Sequence, residues 1–527
     1  MSDAYAGTTG RADQVEWWQS LSYAIVGVAI LSTLFAVTNI FQFVTLSTDV
    51  SGVAFPTMYG LGLVFVGLGT VALGVFARVG LVETNANART GVVNGSLAGT
   101  LTFVVVALVV STTLGLGTFV WGPAALILGL AVFLGVTLAR EDLGATLPWG
   151  VFAAFVGAVF LTGAITPEWQ WGPEGFGFAF TGLITIPMLT VVAGLLVAWA
   201  GMKATQGFGS RGRQAGAYLL IGVNAFFMLG LLLALILFIT EKGAPHALKG
   251  AHFGPGLSVH VPFVTNGQGL GFDIQGIFPA VMGTFWLVFG AVLFSVPLGV
   301  GAAVFLSEYA ERGRFTAVVD VATDGLWSTP SIVYGLFGYA FLLPRLSEQG
   351  TPNVLAGMLV LGFMLIPLVL ITSREAIQSV PDPYRDASAA LGVTRWQTIR
   401  SVVLPAALPG IITGVILGVG RIAGETAPIL LVATGGLNGE AIHVLDSFQL
   451  TTSPPFVVND ALFSATNALP YQIYAVLEAG VGGNVGSGVG NNAAFGWATA
   501  FVLLVLVLCF YAVGIATRLY FQDKLDQ

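Results

Sequence analysis

A series of long apolar runs constrains this chain more than any other feature. Leu21 to Phe43 and Phe501 to Thr517 run almost without charge, and a bilayer's hydrocarbon core asks for about 20 consecutive apolar residues per helical crossing. Backbone groups in lipid must be satisfied within the spanning structure, which leaves helices and closed barrels. Barrel strands alternate apolar and polar positions over short segments, whereas these runs are uniformly Leu, Val, Ala and Gly. The spans are therefore expected to be helices. Composition agrees: 9% of the 527 residues are charged, where a soluble domain carries roughly 25%. The expected fold class is all-α, a polytopic membrane protein with about twelve transmembrane helices. They lie near residues 21–43, 57–77, 97–117, 121–139, 149–166, 180–201, 216–240, 279–306, 327–346, 354–373, 406–435 and 495–517.

Cationic loops are retained on the cytoplasmic side. With the amino terminus inside, fifteen of the 19 Lys and Arg residues fall in cytoplasmic segments. Only Lys242, Lys249 and Arg345 fall outside, and Arg421 lies within a span. The expectation is a multi-pass protein of the plasma membrane with both termini cytoplasmic. The first residues carry acids and a Trp pair without a basic region leading into a cleavable apolar stretch, so no removable signal peptide is expected. Residues 1–203 form an amino-terminal block of about six spans, and 204–215, with Gly207, Gly209 and Gly212, form a cytoplasmic linker to the block 216–521. No ionisable group of the first block stands out at membrane depth; Glu168 and Glu174 fall in a loop. Two extracytoplasmic stretches are long, 241–278 and 436–494, and the Gly/Asn-rich run Gly480 to Asn492 reads as flexible loop.

Several chemistries are not expected. A single cysteine, Cys509, offers neither a disulfide nor a cysteine metal site within the chain. His246, His252, His260 and His443 are spaced unlike any compact ligand set, so solvated loop histidines are expected and no metal. No catalytic constellation and no nucleic-acid partner are indicated. Trp17, Trp18, Trp169, Trp171 and Trp327 sit near span ends, where amphipathic rings anchor at the membrane interface. A net charge of −7 with four lysines fits a high-salt host, and GC-rich codon bias explains the scarcity of lysine equally well.

The loop 374–405 is the most informative segment. Asp382 is a plausible helix N-cap, Tyr384 to Leu391 makes about two turns, and Gly392 can end them in a left-handed cap. Thr394 can cap a second helix running to Leu404 before Pro405. A plain solvated connection is the bland alternative, but the spacing is specific. Asp386-Ala387-Ser388, then Gly392, then nine residues to Val402-x-Leu404-Pro405, resembles the EAA loop of ABC importer permeases. Asp replaces the family's Glu and Ser its second Ala. The resemblance implies a coupling helix that docks on a separate ATP-hydrolysing subunit, with Asp386, Ala387, Ser388, Gly392, Leu404 and Pro405 forming the contact. None of the four lysines follows a glycine, so the chain has no P-loop.

After that loop comes an apolar span interrupted by Arg421 and Glu425. A charge at bilayer depth costs about 2.5–3.5 kcal/mol on insertion scales, so it faces a partner or an aqueous cavity. Four residues apart, the two side chains share a helix face and can pair, which would also explain them as a structural lock. Gly420, Gly424 and Pro428 weaken the helix beside them, and a guanidinium suits a tetrahedral oxyanion. Gly424-Glu425-Thr426-Ala427-Pro428 and Thr329-Pro330-Ser331-Ile332-Val333-Tyr334-Gly335 resemble segments of phosphate-specific transport permeases, closer to the PstA than the PstC type.

The resemblance covers about residues 216–521, six spans with the core of a type I ABC importer permease, and not the first block. It implies passage of inorganic phosphate past Arg421 and Glu425. It also implies a complex with a PstC-type permease, an ATP-binding subunit dimer and an extracytoplasmic phosphate-binding protein. ATP and Mg would be held by the ATPase and no cofactor by this chain, which is not itself an enzyme. Sulfate, molybdate or tungstate are alternative cargoes. An ion-gradient-driven secondary transporter, or a sensor that kept the permease shape, are rival readings.

Overall fold

The computed structural model describes residues 17–525 except 42, 47–48, 51, 83, 85–88, 114–117, 173–178, 255–258, 268–274, 312, 348, 438–439, 455 and 479–490. Arg11, Glu174, Arg312 and most of the Gly480 to Asn492 run lie outside the described residues. Eleven described helices are long and apolar enough to cross a membrane, and a bent pair supplies a twelfth crossing if counted as one span. The chain divides into two compact units, Met1–Leu231 and Leu232–Gln527.

The first unit contains α1 (Trp17–Ile40), α2 (Phe55–Val79), α3 (Val92–Thr113), α4 (Thr118–Leu138), a single turn α5 (Glu141–Gly144), α6 (Leu147–Leu161) and α7 (Gly182–Thr205). It also holds the start of α8 (Gly209–Ala247). The helices pack as nested pairs, α1 on α7, α2 on α6 and α3 on α4. Lipid tails are as apolar as Leu, so helices in a bilayer associate through close packing of small residues. A Cβ on Gly67 would stand 2.6 Å from the Gly150 carbonyl, and one on Gly157 would stand 2.6 Å from that of Gly60. Backbone therefore meets backbone along this pair, while Leu61, Phe65 and Leu68 on the other side of α2 are exposed. The stretch 204–215 is helical on both sides of a short break at 206–208. Gly207, Phe208 and Gly209 all have positive φ there, and the Phe208 ring is buried.

The second unit continues with α9 (Pro262–Thr265), α10 (Phe278–Val304), α11 (Arg314–Ser328), α12 (Ser331–Phe337), α13 (Leu343–Leu346) and α14 (Val354–Gln378). Then follow α15 (Asp382–Ala390), α16 (Arg395–Thr398), α17 (Leu404–Ala423), α18 (Ala427–Val432), α19 (Leu469–Leu477) and α20 (Asn492–Leu525). Its core lies where α14 meets α10 and α17, around Leu287, Leu361, Leu365, Val369 and Ile422.

Three expected segments are corrected. The window 327–346 is no straight span: α11 and α12 meet at 101°, at Thr329-Pro330. The second helix of the loop does not stop before Pro405. Through a π turn at Ile399–Val403 it runs on as one helix from Arg395 to Ala423, so the proline's missing N–H falls where the i→i+4 ladder has already loosened. The stretch 436–494 is more than loop, since α19 is buried within it. The Leu469 N–H donates to Thr284 Oγ1 at 2.9 Å, and Asn467 Nδ2 donates to Gln472 Oε1 at 2.9 Å.

Candidate translocation site

Why the polypeptide opens near Arg421 is legible locally. Helix α17 ends at Ala423 with Gly424 as its cap. Pro428, the second residue of α18, has no N–H to return to the Gly424 carbonyl. Between the two helices Gly424, Glu425 and Thr426 lack regular helical bonding, and the Glu425 N–H reaches Ile422 O at 3.3 Å.

Arg421, one turn before this break, is 37% exposed at its side chain and Glu425 17%. Nε of Arg421 stands 3.9 Å from Glu425 Oε1, beyond hydrogen-bond length. The pair is a loose electrostatic contact. The guanidinium carbon lies 4.5 Å from the centroid of the Trp327 ring, within the range of cation–π attraction, worth about 0.5–2 kcal/mol depending on solvation. Neither terminal amino group of Arg421 has a hydrogen-bond partner among the described residues.

Two of the sequence motifs converge here. Helix α12, which carries Ser331 to Gly335, packs on α18. A Cβ on Gly335 would stand 2.9 Å from Pro428 Cα, which is why a glycine occupies the contact. The buried Tyr334 hydroxyl donates to Leu326 O at 2.8 Å, tying α12 to the last turn of α11.

The third motif leads into the other end of α17, where Leu404 lies about 25 Å from Arg421 at about 1.5 Å per residue. In the loop 374–405, α15 begins at Asp382, with Pro381 rather than Asp382 as its N-cap residue. Gly392 takes φ +72°, as the expected left-handed turn requires. Thr394 and Gln397 form a reciprocal capping box at α16. Asp386 and Ala387 are exposed, and Ser388 is buried with its hydroxyl on Tyr384 O at 3.0 Å. Leu404 and Pro405 are half-buried at the start of α17. Tyr384, Leu391 and Trp396 leave an apolar surface around the turn, Leu391 being 83% exposed.

Sequence reasoning missed the anchor of this loop. Arg385 donates to buried Glu308 through Nε at 3.2 Å and Nη2 at 2.8 Å, and to the carbonyls of Ile377 and Val380. The two side chains are 77 residues apart, so only a charged residue beside an apolar span hinted at Glu308. The Arg421–Trp327 contact was missed for the same reason, and the Tyr334 strut because it spans a bend that the sequence does not announce.

The histidines behave partly otherwise than expected. His252 and His260 are cross-strand partners in a short hairpin, with rings 5.1 Å apart. Among the described residues no group of three or more His, Cys, Asp or Glu side chains placed to hold a metal ion occurs.

Residues 295–520 match the family model described as the inner membrane component of binding-protein-dependent transport systems. The phosphate transport system permease protein PstA of Haemophilus influenzae is 31% identical over 249 residues, 47% of this chain and 77% of that protein. A probable ABC transporter permease of Bacillus subtilis, YqgI, is 32% identical over 245 residues, 46% of this chain and 79% of its own length. Among solved structures, an inward-facing MetNI methionine ABC transporter aligns over 46% of this chain and 93% of its own, at 18% identity and a TM-score of 0.33.

Proposed function

The chain belongs to the family of binding-protein-dependent transport inner-membrane components, the permeases of ABC importers, and from that premise we propose that its cargo is inorganic phosphate. The observation that carries this reading is the guanidinium of Arg421, beside a helix break with its terminal amino groups unpartnered among the described residues. A planar fork of this kind suits paired hydrogen bonds to a tetrahedral oxyanion. Glu425, held loosely, tempers the positive charge so that an anion binds and also leaves. Sulfate, molybdate and tungstate share that shape and charge, and the choice of phosphate rests on the PstA relatives.

In this reading the permease forms half of a pathway completed by a PstC-type subunit, fed by an extracytoplasmic phosphate-binding protein. Both of its termini are cytoplasmic. Two ATP-binding subunits hold ATP and Mg2+, and one of them docks on the loop 374–405, where Asp386 offers a charged contact and Leu391 and Trp396 an apolar one. The helix that runs from Arg395 through a π turn to Ala423 gives motion of that loop a route to Arg421. Arg385 ties the same loop to Glu308 just beyond α10.

The test is ATP-dependent uptake of labelled phosphate into vesicles holding the complex, comparing wild type with Arg421→Gln and Asp386→Lys, each checked for assembly by co-purification. Uptake is expected to fall about a hundredfold in Arg421→Gln, the scale for losing a positioned charge in a polar site, and to fail in Asp386→Lys even with ATP present. Uptake that proceeds on an ion gradient without the ATPase, or competition by sulfate equal to that by unlabelled phosphate, would sink the reading.

A further inference from the structure

Arginine at a helix break is mobile unless something fixes the plane of its guanidinium, and Glu425 at 3.9 Å does so weakly. Trp327 does it better. The Arg421 guanidinium carbon lies over its ring, 4.5 Å from the centroid. Stacking of this kind engages the face of the ion and leaves its in-plane N–H donors free. An aliphatic side chain would fill the same space without preferring that orientation, and a second carboxylate would consume the donors.

The Trp327 backbone is itself held from several sides. Ser328 Oγ and Thr329 Oγ1 donate to Gly325 O at 3.1 and 2.7 Å, closing the last turn of α11. The Tyr334 hydroxyl crosses the 101° bend to the carbonyl of Leu326, the residue before Trp327. Tyr334 is followed by Gly335, whose backbone seats on Pro428 of α18. The strut that places the tryptophan is thus anchored to the helix that begins just after Glu425.

We propose that Trp327 is a positioning residue for anion passage, holding the Arg421 guanidinium by its face so that its terminal amino groups stay presented to a tetrahedral oxyanion such as phosphate. The Tyr334 hydroxyl holds Trp327 in place. This rests on the reading of Arg421 as a pathway residue. The same constellation makes the bend between α11 and α12 part of the site and not only a way to fit two short helices into one crossing.

The experiment is a double-mutant cycle in the assembled importer, read as phosphate uptake at saturating phosphate and binding protein. Trp327→Leu is expected to lower uptake about tenfold, and Trp327→Phe, which keeps an aromatic face, to stay within about twofold of wild type. In an Arg421→Lys background, where no planar fork remains to be oriented, Trp327→Leu is expected to add less than about twofold. Equal loss in both backgrounds would mean that Trp327 acts only in packing, and the proposal would be overturned. So would uptake within about twofold of wild type for Trp327→Leu while Arg421→Gln fails. Normal uptake by Arg421→Gln would instead overturn the pathway reading itself, and this one with it. Should Trp327→Leu not assemble, Tyr334→Phe removes one hydroxyl and keeps the ring. It is expected to lower uptake about threefold in the wild-type background and negligibly with Arg421→Lys, and additivity there overturns the proposal equally.

Discussion

In the unit Met1–Leu231 the long helices pack in pairs along their lengths, and the buried charges sit at helix ends with partners. Glu141 takes Arg213 at 2.9 Å, Asp142 takes Arg140 at 3.1 Å, and Lys203 lies 3.5 Å over the Trp199 ring. In the unit Leu232–Gln527 three helices pass through π turns, at Phe305–Tyr309, Gly338–Leu342 and Ile399–Val403. There a further pair of helices meets at 101°, and Arg421 stands beside a break with a loose partner. Among the described residues no π turn falls in the first unit. Both units answer to the same solvent, so the bilayer alone does not dictate the difference. Paired charges and continuous ladders stiffen a helical unit, whereas interrupted ladders leave backbone groups without helical partners.

The largest expected effect falls on Arg385 and Glu308, where the second unit clasps a buried carboxylate as the first does. Arg385→Ala strips buried Glu308 of its partner and frees the carbonyls of Ile377 and Val380. Removing one member of a buried pair costs about 3–5 kcal/mol, and Glu308 is nearly inaccessible at its side chain while Arg385 is partly open, so the lower end is expected. Thermal unfolding of the purified complex should show it, and Glu308→Gln in the same chain should recover a part. A variant as stable as wild type would mean that the loop is not anchored here and that the contrast between the units is overstated.

A smaller effect is expected in the helix pair where the backbones touch. Gly67→Ala puts a methyl 2.6 Å from both Ala154 N and Gly150 O, which forces α2 from α6 and costs about 1–3 kcal/mol. Stability should fall while phosphate uptake per assembled complex is kept. A selective loss of uptake with assembly intact would show that this pair does more than support.

How much of this could be read beforehand depended on whether the information was local. Apolar runs announced the spans because each is a continuous stretch. Gly392 and Thr394 announced the turn of the loop because caps act within a few residues. The bend at Thr329-Pro330 stayed hidden inside what looked like one window, and α17 hid its continuation because Pro405 reads as a stop when the π turn before it is unseen. The Arg421–Trp327 contact and the Arg385–Glu308 pair join residues that no spacing rule relates, since only the packing of α12 on α18 and of α11 on α14 brings the first together. Glu141 and Lys203 escaped because a search for charge at mid-span passes over helix ends.

The smallest effect sharpens the contrast most. Arg213→Ala removes the 2.9 Å partner of Glu141, but the Arg213 side chain is about half exposed at 51%. Solvent screening therefore discounts the pair, and Lys203 remains near the carboxylate. A loss of about 1 kcal/mol is expected, visible as a small drop in unfolding temperature. Uptake should be unchanged within error, because the first unit's charges are bound to one another and not presented to cargo. If Arg213→Ala instead cut uptake several-fold with assembly and stability preserved, the clasp at Glu141 would be a working part of the transporter. The contrast between tightly paired and loosely held charge would then have to be redrawn to include α5 and the start of α8.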